Sequence, residues 1–211
     1  MQKVILKNGL TLGIFALLCA AAVSWLALET KDTIALQKKL AIEKTLQQVI
    51  PQERYDNDII QSCVEVNAPS YLGSTQNQHV FIAKKNNKPV GLAIKTTAPD
   101  GYNGNIHLMI GVDSNLRILG VRTLEHQETP GLGNFIELSL SSWVLSFNGL
   151  IFDATQEKQW NVKKDGGQFD QFTGATITPR AYVKAVKNTL MYLQKNYQNI
   201  VTSTKKCDLN L

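Results

Sequence analysis

The sequence holds 211 residues, room for one sizeable domain and a short appendage. Hydrophobic residues make up 44%, enough to build a core and too many for a disordered chain. The net charge of +5 comes from scattered lysines and arginines with no basic run interleaved with aromatics, which argues for a solvated surface and against a nucleic-acid partner.

Residues 1–8 form a short N-terminus carrying Lys3 and Lys7. Residues 9–28 carry no charge, and about 20 apolar residues cross a bilayer as a helix. A cleaved signal peptide is the competing reading, because Ala20-Ala21-Ala22 offers small residues. The apolar run continues past them through Trp25 to Leu28, which favours a retained anchor. Leu17-Leu18 before Cys19 does not suit a lipoprotein cleavage site. Lys31, Lys38 and Lys39 nearly balance Lys3 and Lys7, so charge alone hardly orients the anchor. The short leading tail favours an N-terminus in the cytoplasm and an exported domain.

Residues 29–51 read as a helical stalk, with Ile34, Leu36, Leu40, Leu46, Val49 and Ile50 roughly on one side and Pro51 as the stop. Residues 52–200 form the domain. Strands are expected at 59–66, 79–84, 89–97, 106–112 and 116–124, with turns at Asn86-Asn87, Pro99-Asp100-Gly101 and Asp113-Ser114-Asn115. A short helix is expected across 135–147 with Trp143 in the core, and a further strand across 160–164. A final helix over 179–197 carries an apolar stripe of Val183, Val186, Leu190, Leu193 and Tyr197. Residues 201–211 form a tail. The fold class is α+β: one N-terminal transmembrane helix, then a mainly antiparallel sheet packed with helices.

Cys63 and Cys207 lie far apart in sequence. In an oxidising compartment they are candidates for a disulfide, and two free thiols are the alternative. No Cys-x-x-Cys or Cys/His spacing suggests a metal site, and no Gly-x-Gly-x-x-Gly pattern suggests NAD binding.

Two stretches carry the chemistry. The first is Glu128-Thr129-Pro130-Gly131-Leu132-Gly133, a rigid loop whose glycines permit close backbone approach. His126 beside it could serve as a redox-linked proton site, and a surface histidine is the favoured reading. The second is Asp170-Gln171-Phe172-Thr173-Gly174-Ala175-Thr176, followed by Thr178-Pro179, an N-cap and first-turn proline signal. Thr176 therefore sits just before a helix N-terminus, where free N–H groups and the dipole favour a phosphate. On spacing alone, a Gly-Ala-Thr turn before a helix is an ordinary cap. A threonine hydrolase is disfavoured because no motif supplies a base.

Asp170-x-x-Thr173-Gly174-Ala175-Thr176 resembles the acceptor motif for covalent flavinylation, in which a flavin transferase joins the phosphate of FMN to the last threonine. With the upstream loop and the single membrane segment, the chain resembles the G subunit of the Rnf ion-translocating electron transport complex. The related C subunit of the sodium-pumping NADH:quinone reductase shares the FMN-binding domain but is longer. The resemblance implies a flavoprotein electron-relay subunit that is not catalytic alone, working in a complex that passes electrons between ferredoxin and NAD coupled to Na⁺ or H⁺ movement. It implies covalent FMN on Thr176, a pocket formed by Thr173, Gly174, Ala175 and residues 128–133, and recognition of Asp170 by the transferase. Backbone N–H groups of the 128–133 loop are expected to bind the flavin ring. Lys163 and Lys164 are candidates to balance the phosphate, but neighbours on a strand face opposite ways, so at most one reaches it. The implied partners are the A, B, C, D and E subunits, the transferase and the membrane. The implied place is the bacterial inner membrane, single-pass, with the main domain in the periplasm. An anchored periplasmic binding or scaffold module without a cofactor is the alternative.

Overall fold

The computed structural model describes residues 2–207, the side chains of Asp32 and Lys38 aside. The last four residues of the expected tail fall outside the described residues. The chain divides into two units, residues up to 42 and residues from 43 onward.

Helix α1 (Gln2–Val49) is unbroken through the expected anchor and stalk. Its stretch Gln2–Lys31 is long and apolar enough to cross a membrane, and none of its apolar window is buried. At 1.5 Å per residue these 30 residues span roughly 45 Å. Large apolar side chains such as Val4, Leu6, Leu10, Phe15, Leu18 and Trp25 project without burial. A helix apolar on all sides suits lipid rather than water.

The second unit is built on one five-stranded antiparallel sheet in sequence order. Its strands are β1 (Cys63–Val66), β2 (Gln78–Lys85), β3 (Lys88–Gly101), β4 (Gly104–Asp113) and β5 (Ile118–Glu125). Short turns join β2 to β3, β3 to β4 and β4 to β5, the connections that antiparallel pairing allows. Asn86 and Asn87 both take positive φ, as a tight hairpin turn requires of its two central residues. The expected turn at Pro99-Asp100-Gly101 is instead part of β3. The register slips between Ala98 and Gly101, and Gly101 still pairs with Gly104. Proline has no N–H for the ladder, and such an irregularity is where a strand tolerates it. The expected strand at 59–66 begins only at Cys63, with Ile59 and Ile60 buried in the turn before it.

Side-chain alternation gives the sheet one continuous apolar face and a second that is apolar in part. Val80, Ile82, Leu92, Ile94, Ile106, Leu108, Ile110 and Val121 join one core with the stripe Val183, Val186, Leu190 and Leu193 of the last long helix, Ile177–Val201. A four-residue helix, α2 (Pro69–Leu72), contributes Leu72 to that core. The other face presents Phe81, Ala83, Ala93 and Met109, all buried. Here Gly111 of β4 pairs with Gly120 of β5. A Cβ on Gly111 would overlap the Val49 carbonyl, and one on Gly120 would lie 3.0 Å from the Val49 Cα. The last turn of α1 thus lies directly on sheet backbone, with Leu46, Val49 and Ile50 buried. Arg122 adds a hydrogen bond from Nε to Gln48 Oε1 at 3.0 Å.

Residues 126–176 form no α-helix or strand, only 3₁₀ turns at Gly133–Ile136, Ser142–Phe147, Ala154–Gln159 and Lys163–Asp165 and two isolated bridges, Val162–Phe169 and Phe172–Ala175. The expected helix over 135–147 is two such turns. The expected strand at 160–164 reduces to one bridge between Val162 and Phe169, after which Lys163–Asp165 turns away. Past Val201 the chain returns to the sheet edge. Glu65 N–H donates to the Lys205 carbonyl, and Cys207 N–H to the Cys63 carbonyl. Cys63 and Cys207 are joined by a disulfide that links positions 144 residues apart.

The paired-glycine platform has a direct test. Gly111→Ala is expected to lower the stability of the sheet domain by roughly 1–3 kcal/mol through overpacking, read as a lower urea midpoint with an unchanged m-value.

Candidate functional site

Residues 126–176 lack strands, so side-chain packing must hold them. An aromatic cluster does this. Trp143 meets Phe147, Phe172 and Tyr182 edge-on, with centroids 5.4, 5.1 and 5.4 Å apart. Phe147 stacks on Phe169 at 4.5 Å. Such pairs add about 0.5–1.5 kcal/mol each beyond their buried area. Trp143 is a core residue, as its sequence context suggested, and its indole N–H also donates to the Asp170 carbonyl at 2.8 Å. Phe169 and Phe172 are therefore the plugs that hold the segment reaching Thr176. Tyr182 closes the base of the cluster. Its hydroxyl lies 3.2 Å from Thr123 Oγ1, and burial pushes its ionisation well above the usual phenol range.

We designate the helix Ile177–Val201 α3. Thr176 stands at its start in helical conformation, φ −72° and ψ −25°, and its side chain makes no capping hydrogen bond. The first N–H groups of a helix have no intrahelical acceptor, so the region around Thr176 is rich in donors. Thr178 is not the N-cap that the sequence suggested. Its hydroxyl is buried and donates to Glu128 Oε2.

That hydrogen bond joins the two motifs. Glu128 is only 4% exposed, and its Oε1 accepts the Asn103 N–H at 3.1 Å from the β3–β4 turn. Its own N–H donates to His126 Nδ1 at 3.0 Å. An Nδ1 that accepts leaves the proton on Nε2, which then donates to Glu137 Oε1 at 3.0 Å. His126 is mostly covered, with a side chain 13% exposed, and is not the surface histidine expected. It braces the backbone of the loop.

Between these walls lies a cleft of about 300 Å³, lined by Tyr102, Glu128, Thr129, Leu132, Gly133, Gly174, Ala175, Thr176, Ile177 and Thr178. Tyr102, Leu132 and Ile177 form an apolar rim, being 64, 41 and 46% exposed. Three threonine hydroxyls and one carboxylate supply the polarity. Of the expected pocket residues, Glu128, Thr129, Leu132, Gly133, Gly174, Ala175 and Thr176 meet here. Pro130, Gly131 and Thr173 are exposed and do not line the cleft. Gly131 and Gly174 take positive φ, +75° and +78°, which few other residues adopt.

Sequence reasoning missed Tyr102, Asn103 and Ile177. It also assigned ring-binding N–H groups to the 128–133 loop. Those of Leu132 and Gly133 donate to the Thr129 carbonyl, and that of Gly131 to Asn134 Oδ1. They are engaged within the chain. Neither Lys163 nor Lys164 lines the cleft. Lys163 pairs with Asp170 at 2.6 Å on the surface. Arg180, in the first turn of α3, makes two 2.6 Å hydrogen bonds to Asp165, which hold that carboxyl below its usual range.

Residues 101–191 match the FMN-binding domain family and residues 1–49 the RnfG N-terminal region. The chain is 54% identical to the G subunit of the ion-translocating oxidoreductase complex of Shewanella amazonensis, over 99% of this chain and 97% of that protein. The chain belongs to this G-subunit family. Members from Vibrio parahaemolyticus and Pseudoalteromonas atlantica are 46% and 44% identical, covering 98% and 96% of those proteins. Every residue lining the cleft falls inside the FMN-binding match. A rim of apolar and aromatic side chains beside a helix start suits the two halves of FMN, a flat ring and a phosphate.

The hook from Trp143 is testable. Trp143→Phe keeps the ring packing and loses the bond to the Asp170 carbonyl. It is expected to speed amide exchange across 170–175 severalfold while leaving the strands protected, measured by hydrogen exchange and mass spectrometry.

Proposed function

We propose that this chain is a membrane-anchored flavoprotein that relays electrons within an ion-translocating oxidoreductase complex, with FMN bound through a phosphoester to Thr176. The observation that carries the reading is the junction of two sequence-distant motifs in one cleft, where the Thr176 side chain makes no capping bond at a helix start. A threonine in that position is ordinarily spent on capping.

When bound, the flavin supplies reversible electron transfer, and the protein supplies attachment, orientation and electrostatics. Thr176 Oγ is the attachment atom. The first-turn N–H groups of α3 and the helix dipole offset the charge of the phosphodiester. Tyr102, Leu132 and Ile177 offer apolar surface to the ring. A covalent link suits a site outside the cytoplasm, where a lost cofactor is hard to replace. The disulfide supports an exported domain, because such bonds persist in oxidising compartments. We therefore assign the domain to the periplasmic side of the inner membrane, with α1 as its single span.

Maturation calls for a flavin transferase that reads the acceptor segment. Asp170, Thr173 and Gly174 are exposed, which leaves them readable. The relatives are named as members of a multi-subunit complex, which supports the A, B, C, D and E subunits of an Rnf-type assembly as partners. Electron passage between ferredoxin and NAD, coupled to Na⁺ or H⁺ movement, is the activity of that assembly. One apolar helix provides no ion path by itself.

Thr176→Val is expected to abolish flavin fluorescence of the denatured protein band while leaving the far-ultraviolet circular dichroism intact. Fluorescence that persists in this variant would refute the attachment site. Asp170→Ala is expected to reduce labelling in cells severalfold by weakening recognition. Full labelling would show that the transferase does not read it.

A further inference from the structure

We infer that Glu128 is the positioning residue that sets the first turn of α3, so that the Thr176 hydroxyl faces the cleft. There its oxygen bonds to the phosphorus of an activated flavin phosphate supplied by the transferase (a flavin dinucleotide). The donor's phosphoanhydride bond breaks, the nucleoside monophosphate leaves and the hydroxyl proton is released. This rests on the attachment reading above. Among the described residues, Glu128 is the only carboxylate lining the cleft. Burying a carboxylate is costly unless its oxygens are hydrogen-bonded. Both are bonded here, and the donors come from two different elements: the Thr178 hydroxyl on α3 and the Asn103 N–H on the β3–β4 turn. A third element, the 126–133 loop, carries Glu128 itself and is braced by His126. One side chain therefore fixes three pieces of backbone that share no strand ladder.

The space around the carboxylate is closed from both sides. A Cβ on Gly133 would come within 2.7 Å of Thr178 Oγ1 and 2.9 Å of Glu128 Oε2. A Cβ on Gly101 would come within 3.0 Å of Glu128 Oε1. The glycines let the loop and the hairpin close on the carboxylate, and the hydrogen bonds then fix the rotation of the first turn. Thr176 is two residues from Thr178, so a shift of that turn moves its hydroxyl directly. Thr178 is thereby diverted from capping, which explains why α3 starts earlier than its Thr-Pro pair suggests.

The test co-expresses the full chain with a flavin transferase and measures the fraction carrying flavin by intact mass after denaturation, with the melting temperature of each variant. Wild type is expected to be labelled. Glu128→Ala and Thr178→Ala are expected to lose labelling by roughly tenfold or more, since small misplacements of reacting groups carry large rate penalties. Glu128→Gln retains an acceptor for Asn103 and a partner for Thr178, and is expected to restore labelling to within about twofold. Glu128→Asp keeps the charge but is too short for both donors, and is expected to behave like Glu128→Ala. Leu190→Ala, in the α3 core away from the cleft, lowers the melting temperature and is expected to leave labelling intact. Full labelling of Glu128→Ala or Thr178→Ala would overturn the inference. So would loss of labelling in proportion to melting temperature across all variants, Leu190→Ala included. If Glu128→Ala does not fold, Thr178→Ala and Glu128→Gln decide the matter on the same criteria. An unlabelled wild type beside a labelled control acceptor would instead sink the attachment reading, and this inference with it.

Discussion

The hydrogen bond from Thr178 to Glu128 is the interaction on which the site depends. It spans 50 residues of sequence and ties a strandless loop to the start of a helix. Without it the two motif segments would face each other across the cleft with packing alone to hold them in register. A buried carboxylate is an expensive way to join two elements. It is also a directional one, because each of its two oxygens accepts from a donor on a different element. The cleft therefore gains a defined shape from one side chain, while its rim stays apolar and open.

The scaffold behind this joint is built in layers. α3 and the aromatic cluster cover one face of the antiparallel sheet, and the last turn of α1 covers part of the other. The long 126–176 segment has little backbone ladder, and its stability comes from Trp143, Phe147, Phe169, Phe172 and Tyr182. Segments of this length without regular structure are usually functional. Here the aromatic plugs lie just before the exposed Thr173 and Gly174, so this stretch is held at its base and open at its tip.

Much of this was legible in the sequence, for local reasons. Alternation and asparagine-rich turns marked the hairpins, since the period-2 pattern survives in any half-buried strand. The stripe of α3 and the stop at Pro51 were equally local. Errors arose where a distant partner overrode a local preference. Thr178-Pro179 looks like a helix start, but Glu128 takes the Thr178 hydroxyl. Pro99-Asp100-Gly101 looks like a turn, but the strand absorbs it in a register slip. Trp160 to Lys164 looks like a strand but finds only one bridge partner. The cleft was half legible. Both motifs were visible, whereas Tyr102 and Ile177, which line the cleft, and Asn103, which bonds to Glu128, had no signal because only the folded hairpin and helix bring them together. The paired glycines of β4 and β5 did carry a signal, since glycine inside a strand often marks close backbone approach.

The most direct measurement is peptide mapping of the wild-type chain, purified from cells with an active flavin transferase, denatured and digested. The peptide containing Thr176 is expected to carry the mass of FMN less one water, with fragmentation placing it on that threonine. An unmodified peptide, alongside a labelled control acceptor from the same cells, would contradict it.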